Sequence, residues 1–174
     1  GAAPLVFSDT VAYPFRIGFA KVFDIFYSRG LHSEVTFIGS GKLGYPDTAL
    51  AAFALGCDMV NVGREAMMAI GCIQAQRCHT GHCPTGVATQ SSWLSRGLNP
   101  SDKSVRVMIY IHALQDEILR LCHSVGVTHP ALIPESVVEI VNQEGAAASI
   151  LNYYGLLSID QRLQESDFHY LEAI

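Results

Sequence analysis

Charge is what this chain has least of. Asp, Glu, Lys and Arg make up 16% of its 174 residues, against 49% hydrophobic residues, whereas soluble domains usually carry about 25% charged residues. The charges it has form no Lys/Arg cluster, and the formal net charge is −5, so a nucleic-acid surface is excluded as an expectation. The apolar residues nowhere gather into the run of roughly eighteen that a membrane span requires, and no signal-peptide pattern is present. An even cysteine count is also lacking. Five cysteines, three of them in one short stretch, read as reduced thiols and not as a disulfide framework, with a cytoplasmic location as the expectation. The sequence opens Gly1-Ala2-Ala3-Pro4-Leu5 without an initiating methionine. Together with the apolar composition, this leads us to expect one domain's worth of a longer polypeptide that packs against something larger.

What is present is a cluster of thiols. Cys72, Cys78 and Cys83 are spaced C-x5-C-x4-C within Gly71–Gln90, among Gly, His and Thr. Five- and six-residue steps keep no common face on a helix or strand, so three thiols so spaced converge only on an irregular loop. Soft thiolates select iron–sulfur clusters, zinc or Cu(I). Zinc would need a fourth ligand, which His79 or His82 could supply.

Upstream of the thiols the chain alternates. Phe15–Arg29 reads as a helix stopped by Gly30, and Val35-Thr36-Phe37-Ile38 as a short buried strand ending at Gly39-Ser40-Gly41. Pro46 opens a helix over Asp47–Leu55 that Gly56 closes. Met59–Val62 is a second strand, again ending in glycine at Gly63, and Glu65–Ile70 a further helix. That order predicts parallel βαβ units. Two glycine-ended strands at the edge where α/β proteins place ligands suggest a phosphate site. Its candidate residues are Gly39, Ser40, Gly41, Lys42, Gly63 and Arg64; glycine lets backbone approach an anion, and the two cations add charge.

The string Cys78-His79-Thr80-Gly81-His82-Cys83-Pro84-Thr85-Gly86-Val87-Ala88-Thr89-Gln90 resembles the cluster loop of the glutamate synthases, C-x5-C-H-T-x-x-C-P-x-G-V-A-T-Q. The resemblance covers about residues 1 to 133 and is nearer the shorter FMN-binding members than the giant ones; nothing resembles an N-terminal-cysteine glutaminase domain. It implies a 3Fe–4S cluster on Cys72, Cys78 and Cys83, and FMN phosphate at the ends of the seventh and eighth strands of a (β/α)8 barrel. Gly1-Ala2-Ala3-Pro4 is similar to the end of the G-G-T-G-A-x-P loop after the sixth strand. The implied fold is therefore α/β, the C-terminal part of a barrel with about its last two strands and their helices, followed by a mainly helical tail. Residues 1–133 would be the barrel part and 134–174 the tail. The implied activity is reductive amination of 2-oxoglutarate with ammonia or glutamine to give glutamate, fed by ferredoxin or an NAD(P)H-dependent subunit. Residues that would contact 2-oxoglutarate or the flavin ring fall upstream, so no catalytic residue is assigned. A non-catalytic iron–sulfur or zinc relay module is the alternative.

After the thiols, Pro100-Ser101-Asp102 precedes a long amphipathic helix. Val107, Ile111, Leu114, Ile118, Leu121, Cys122 and Val125 form its apolar stripe, Ser101 or Asp102 is the N-cap candidate and Gly126 the stop. That stripe, Cys57 and Cys122 are read as core packing. Glu65 is read as a favourable charge at a helix start. Glu135–Gln143 and Ala147–Leu156 are expected as weaker helices, and 164–174 give no functional signal.

Overall fold

The computed structural model describes residues 4–154; the side chains of 5, 8 and 151 lie outside the description, as do Gly1–Ala3 of the N-terminal loop call and the tail beyond Tyr154. Two short helices come first, α1 over Leu5–Thr10 and α2 over Phe15–Tyr27. The four-residue spacing of Phe15, Phe19, Phe23 and Tyr27 places these rings one above another on a single face of α2. Neighbouring centroids lie 5.3, 6.1 and 5.8 Å apart. Phe37 packs edge-on against this row, 5.1 Å from Phe23 and 5.9 Å from Phe19, a preferred arrangement of aromatic pairs.

Strand β1 runs over Ile38–Ser40 and β2 over Met59–Asn61, joined by helix α3 over Pro46–Ala54. The strands pair in parallel, with Ile38, Gly39 and Ser40 opposite Met59, Val60 and Asn61. β1 therefore starts later than the expected Val35, and Gly39 and Ser40 belong to it and not to the following loop. The reason lies at Phe37. Its N–H is taken by Asp58 Oδ2 at 2.7 Å and its carbonyl by the Asp58 and Met59 N–H groups, so regular pairing begins only at the next residue.

Helix α3 is the centre of the molecule. Ala49, Ala51, Ala52 and Ala54 are all buried, and they face three directions. Ala49 and Ala54 meet Leu114, Ile118 and Cys122; Ala51 meets Ala20 and Ile150; Ala52 meets Leu43 and Cys57. Small side chains let elements approach closely on all sides, at the cost of leaving burial energy to the larger partners. Leu114 and Ile118 supply it, at about 1.5–3 kcal/mol for each fully buried side chain.

Helix α4 covers Arg64–Ala69 and α5 covers Pro100–Ser124, each within a residue or two of expectation. The expected stripe of α5 is the buried one at Leu114, Ile118 and Cys122, while Val125 lies past the helix end and is exposed. Its cap is neither Ser101 nor Asp102. Asn99 Oδ1 accepts from the Ser101 N–H at 3.0 Å, and Pro100 takes the first helical position, where no N–H is needed. No helix among the described residues is long and apolar enough to cross a membrane.

The tail departs most from expectation. In place of a helix over Glu135–Gln143 there is a strand, β3 over Glu139–Val141, antiparallel to β4 over Ala147–Ser149; helix α6 over Ile150–Tyr154 follows. The turn explains the difference. Asn142 Oδ1 accepts from the Glu144 and Ala146 N–H groups, and Gly145 takes φ 82°, a side-chain-built turn that reverses the chain. The described architecture is thus mixed α/β with a parallel strand pair, a helical body and a small hairpin; no closed barrel occurs among the described residues.

Candidate functional site

Two loops carry the candidate residues, and each is built differently. The first leaves β1. Because β1 and β2 are parallel and in register, the segments after Ser40 and after Asn61 leave the same sheet edge. Gly41 has φ 156°, and a Cβ there would stand 2.6 Å from Phe15 Cβ, so glycine is required by the close approach of α2. Lys42 follows with φ 60°. Its ammonium sits 3.1 Å from Asp9 Oδ1, a partner with no signal in the sequence. Ser40, Gly41, Lys42 and Asp9, with Tyr13 and Phe15, line an open cleft of about 430 Å³. Gly39 points the other way. A Cβ on it would lie 2.6 Å from Cys57 Sγ and 2.9 Å from Phe15, so it is packed into the interior.

Across the sheet edge, Gly63 caps α4 with open space around its α-carbon and no side-chain cap bond. The first N–H groups of a helix have no partner within it, and Arg64 stands beside them, half-buried.

The second loop runs from α4 to α5. Cys72, Cys78 and Cys83 all border one small cavity of about 10 Å³, with Gln76, Arg77 and Thr85 among its other walls. Cys83 is buried and the other two are partly exposed. No group of three or more His, Cys, Asp or Glu among the described residues is gathered closely enough to hold a metal ion; the thiols border one void but are not drawn onto one point. The donor set fits soft-metal chemistry. Cys72 Sγ accepts from the Gln74 N–H at 3.4 Å, and Cys83 Sγ lies 3.4 Å from Thr85 Oγ1. That hydroxyl, with help from the Ala88, Thr85 and Val87 N–H groups, brings the Cys83 thiol down to about 7 against the opposing effect of burial, towards the thiolate that a metal needs.

The loop holds its shape by local bonds. Thr80 Oγ1 donates to the Arg77 carbonyl at 2.8 Å, and Thr89 Oγ1 donates to the Gly81 carbonyl. His82 Nδ1 lies 2.8 Å from the Thr80 carbonyl, so His82 is engaged with backbone, and both histidines are exposed. Gly86 has φ 78°, and a Cβ there would reach 2.5 Å from the Leu94 carbonyl; the turn at Leu94–Gly97 is folded directly onto the thiol loop. Gln74 at φ 55° and Gln76 at φ 57°, with Lys42, are the non-glycine residues at positive φ among the described residues. Such conformations cost of order 1–3 kcal/mol each and persist where surroundings enforce them. All three fall in the two loops that sequence reasoning singled out. The threonines and Asp9 were missed, although Thr85, two residues beyond Cys83, is at a spacing where a hydroxyl reaches back.

Comparison with known proteins bears on both loops. The family described as the conserved region in glutamate synthase matches residues 1–128. The glutamate synthase large subunit-like protein YerD of Bacillus subtilis (strain 168) is 34% identical over 152 residues, 87% of this chain and 29% of that protein. The archaeal glutamate synthase (NADPH) of Methanocaldococcus jannaschii is 39% identical over 127 residues, 73% of this chain and 25% of that protein. The chloroplastic ferredoxin-dependent glutamate synthase of Spinacia oleracea is 34% identical over 90 residues, 52% of this chain and 6% of that protein. The chain thus spans less than a third of the length of each of these relatives.

Proposed function

Because the chain belongs to the glutamate synthase family, we propose that it forms the FMN- and cluster-binding part of an oxidoreductase that aminates 2-oxoglutarate to glutamate. In this reading residues 1–133 are the C-terminal part of a (β/α)8 barrel whose last two strands are β1 and β2, and residues 134–174 are an appended tail. The observation that carries it is the placement of backbone strain. Lys42, Gln74 and Gln76, the non-glycine residues at positive φ among the described residues, lie in the loop that would meet a phosphate and the loop that bears three thiols. Strain maintained at two ligand loops is a hallmark of preorganised sites.

The roles of the residues follow from their chemistry. Ser40, Gly41 and Lys42 from one strand end, and Gly63 and Arg64 from the other, would hold the FMN phosphate through backbone N–H groups and two cations; Gly39 would keep the first loop seated by its inward packing. Lys42 would exchange its ion pair with Asp9 for the phosphate. Bound flavin supplies the hydride chemistry of the amination, and a 3Fe–4S cluster supplies single electrons. Cys72, Cys78 and Cys83 would each ligate one iron, with Thr85 and the Gln74 N–H bonding to sulfur as outer partners. Substrates are 2-oxoglutarate with ammonia or glutamine, and the electron donor is a ferredoxin or an NAD(P)H-dependent subunit.

The test is the visible spectrum and the iron, sulfide and flavin content of the full-length protein. Flavin and iron–sulfur bands together are expected, with Cys78→Ser removing iron and sulfide while leaving flavin bound. Iron–sulfur bands without flavin would make the chain a relay module, and a colourless zinc protein would overturn the cluster.

A further inference from the structure

A cleft of about 420 Å³ opens where α4, α5 and the residue before α3 meet, next to both loops just described but lined by residues of neither. α4 contributes Glu65 and Met68, α5 contributes Arg106, Ile109 and Tyr110, and Tyr45 adds to the lining. The three- and four-residue spacings put each helix's contributors on one face. Glu65 is only 5% exposed, yet it forms no ion pair or side-chain hydrogen bond with the described residues. Tyr110, the hydroxyl beside it, donates instead to the Gly44 carbonyl at 2.7 Å. The Glu65 carboxylate oxygens are not among the buried polar atoms that lack a partner, so the stem of the side chain is covered while its charged end meets the cleft. Arg106 lines the same cleft and is not paired with Glu65; one turn earlier Asp102 pairs with Lys103 at 2.8 Å and also feels the Arg106 charge.

A carboxylate facing the cleft and a separate cation lining it, with apolar walls of Tyr45, Met68 and Ile109, match one class of small molecule. We propose that this cleft binds a zwitterionic α-amino acid with an apolar side chain. Its ammonium would satisfy Glu65, its carboxylate would take the paired N–H groups of Arg106, and its side chain would lie on the apolar walls. A simple amine would engage Glu65 alone, and a simple acid Arg106 alone. Since Glu65 adjoins Arg64 and Tyr45 adjoins the loop after β1, occupancy would be felt at both strand ends.

The experiment is calorimetric titration of the full-length protein with L-leucine, 3-methylbutylamine (leucine without its carboxylate) and 4-methylpentanoate (leucine without its ammonium). Leucine should bind saturably, with each analogue at least tenfold weaker. Arg106→Gln should weaken leucine at least tenfold and leave the amine unchanged; Glu65→Gln should weaken leucine and the amine alike. Arg106 is exposed, so its variant decides the matter even if Glu65→Gln fails to fold. Absence of saturable leucine binding, equal affinity for the amine, or indifference of leucine to Arg106→Gln would each overturn the proposal. Flavin and iron content, measured on the same sample, report on the function proposed above and leave this result independent of it.

Discussion

The βαβ unit and the thiol loop that follows it occupy successive stretches of chain and keep their shapes by different means. From β1 to α4 the backbone is fixed by burial: the alanines of α3 are sealed between α5, α2 and the strand pair. From Gly71 to Leu98 Cys83 and Gly86 are the buried residues, and short hydroxyl-to-backbone bonds and two close turns do the holding. Packed cores lose stability in proportion to what is removed, whereas a bonded loop fails locally. Damage to the first should therefore be global and damage to the second confined to the ligand.

Ile118→Ala should test this most severely. Removing a side chain 7% exposed from the cluster around α3 and α5 is expected to cost about 2–5 kcal/mol, read as a lowered urea midpoint of the full-length protein. A loss below about 1 kcal/mol would mean that α5 is not the main support of α3. Gly86→Ala should act on the other region. Its positive φ and the collision with the Leu94 carbonyl are expected to cost the local structure of the loop, and not global unfolding, roughly 1–3 kcal/mol. The readout is diminished iron content with an urea midpoint close to wild type; equal loss of both would show the regions to be one cooperative unit.

Asn99→Ala lies at the junction of the two. Loss of the cap on α5 should cost about 1 kcal/mol, and Asn99→Ser should restore most of it; equal midpoints for the two variants would show that the cap contributes little. The smallest effect near neutrality concerns Cys57. Burial, then the neighbouring Asp58 carboxylate, pushes its thiol up to about 12, while the unfolded chain ionises at its ordinary value of 9.0. The folded state thus binds the proton more tightly, so the contribution is complete below about pH 9 and is lost as pH rises towards 12. Tyr110, raised from 10.0 to about 12 chiefly by burial, acts in the same direction. Urea midpoints from pH 8 to 11 should fall less steeply in Cys57→Ala than in wild type, and parallel curves would remove Cys57 from the account.

Much of the body was legible because local signals and tertiary packing agree there. Gly30, Gly56 and Gly126 mark the points where the chain turns with positive φ after a helix, and Pro46 and Pro100 open α3 and α5. The strand boundary at Ile38 was not legible, since it depends on Asp58 capturing the Phe37 N–H from twenty-one residues away. The tail was misread because Val137, Val138, Ile140 and Val141 suit a strand, and the deciding signal was Asn142 and Gly145 in the turn. For the candidate site, the thiols and glycine-ended strands were visible as spacing. The partners that set their chemistry, Thr85 at Cys83 and Asp9 at Lys42, are choices of three-dimensional contact that spacing does not encode.

The packing of α4 against α5 bears on how the thiol loop would take up the metal proposed for it. Both ends of the excursion between Ala69 and Pro100 are anchored to the same folded body, so the entropy of closing it is already spent before any metal arrives; for a free segment this term grows as (3/2)RT ln n. Were the proposed metal to bind there, the thiols would meet it at a high local concentration and not as three independent ligands. Assembly would then be a matter of rearranging about a dozen residues between Cys72 and Cys83, a step separable in time from folding of the chain.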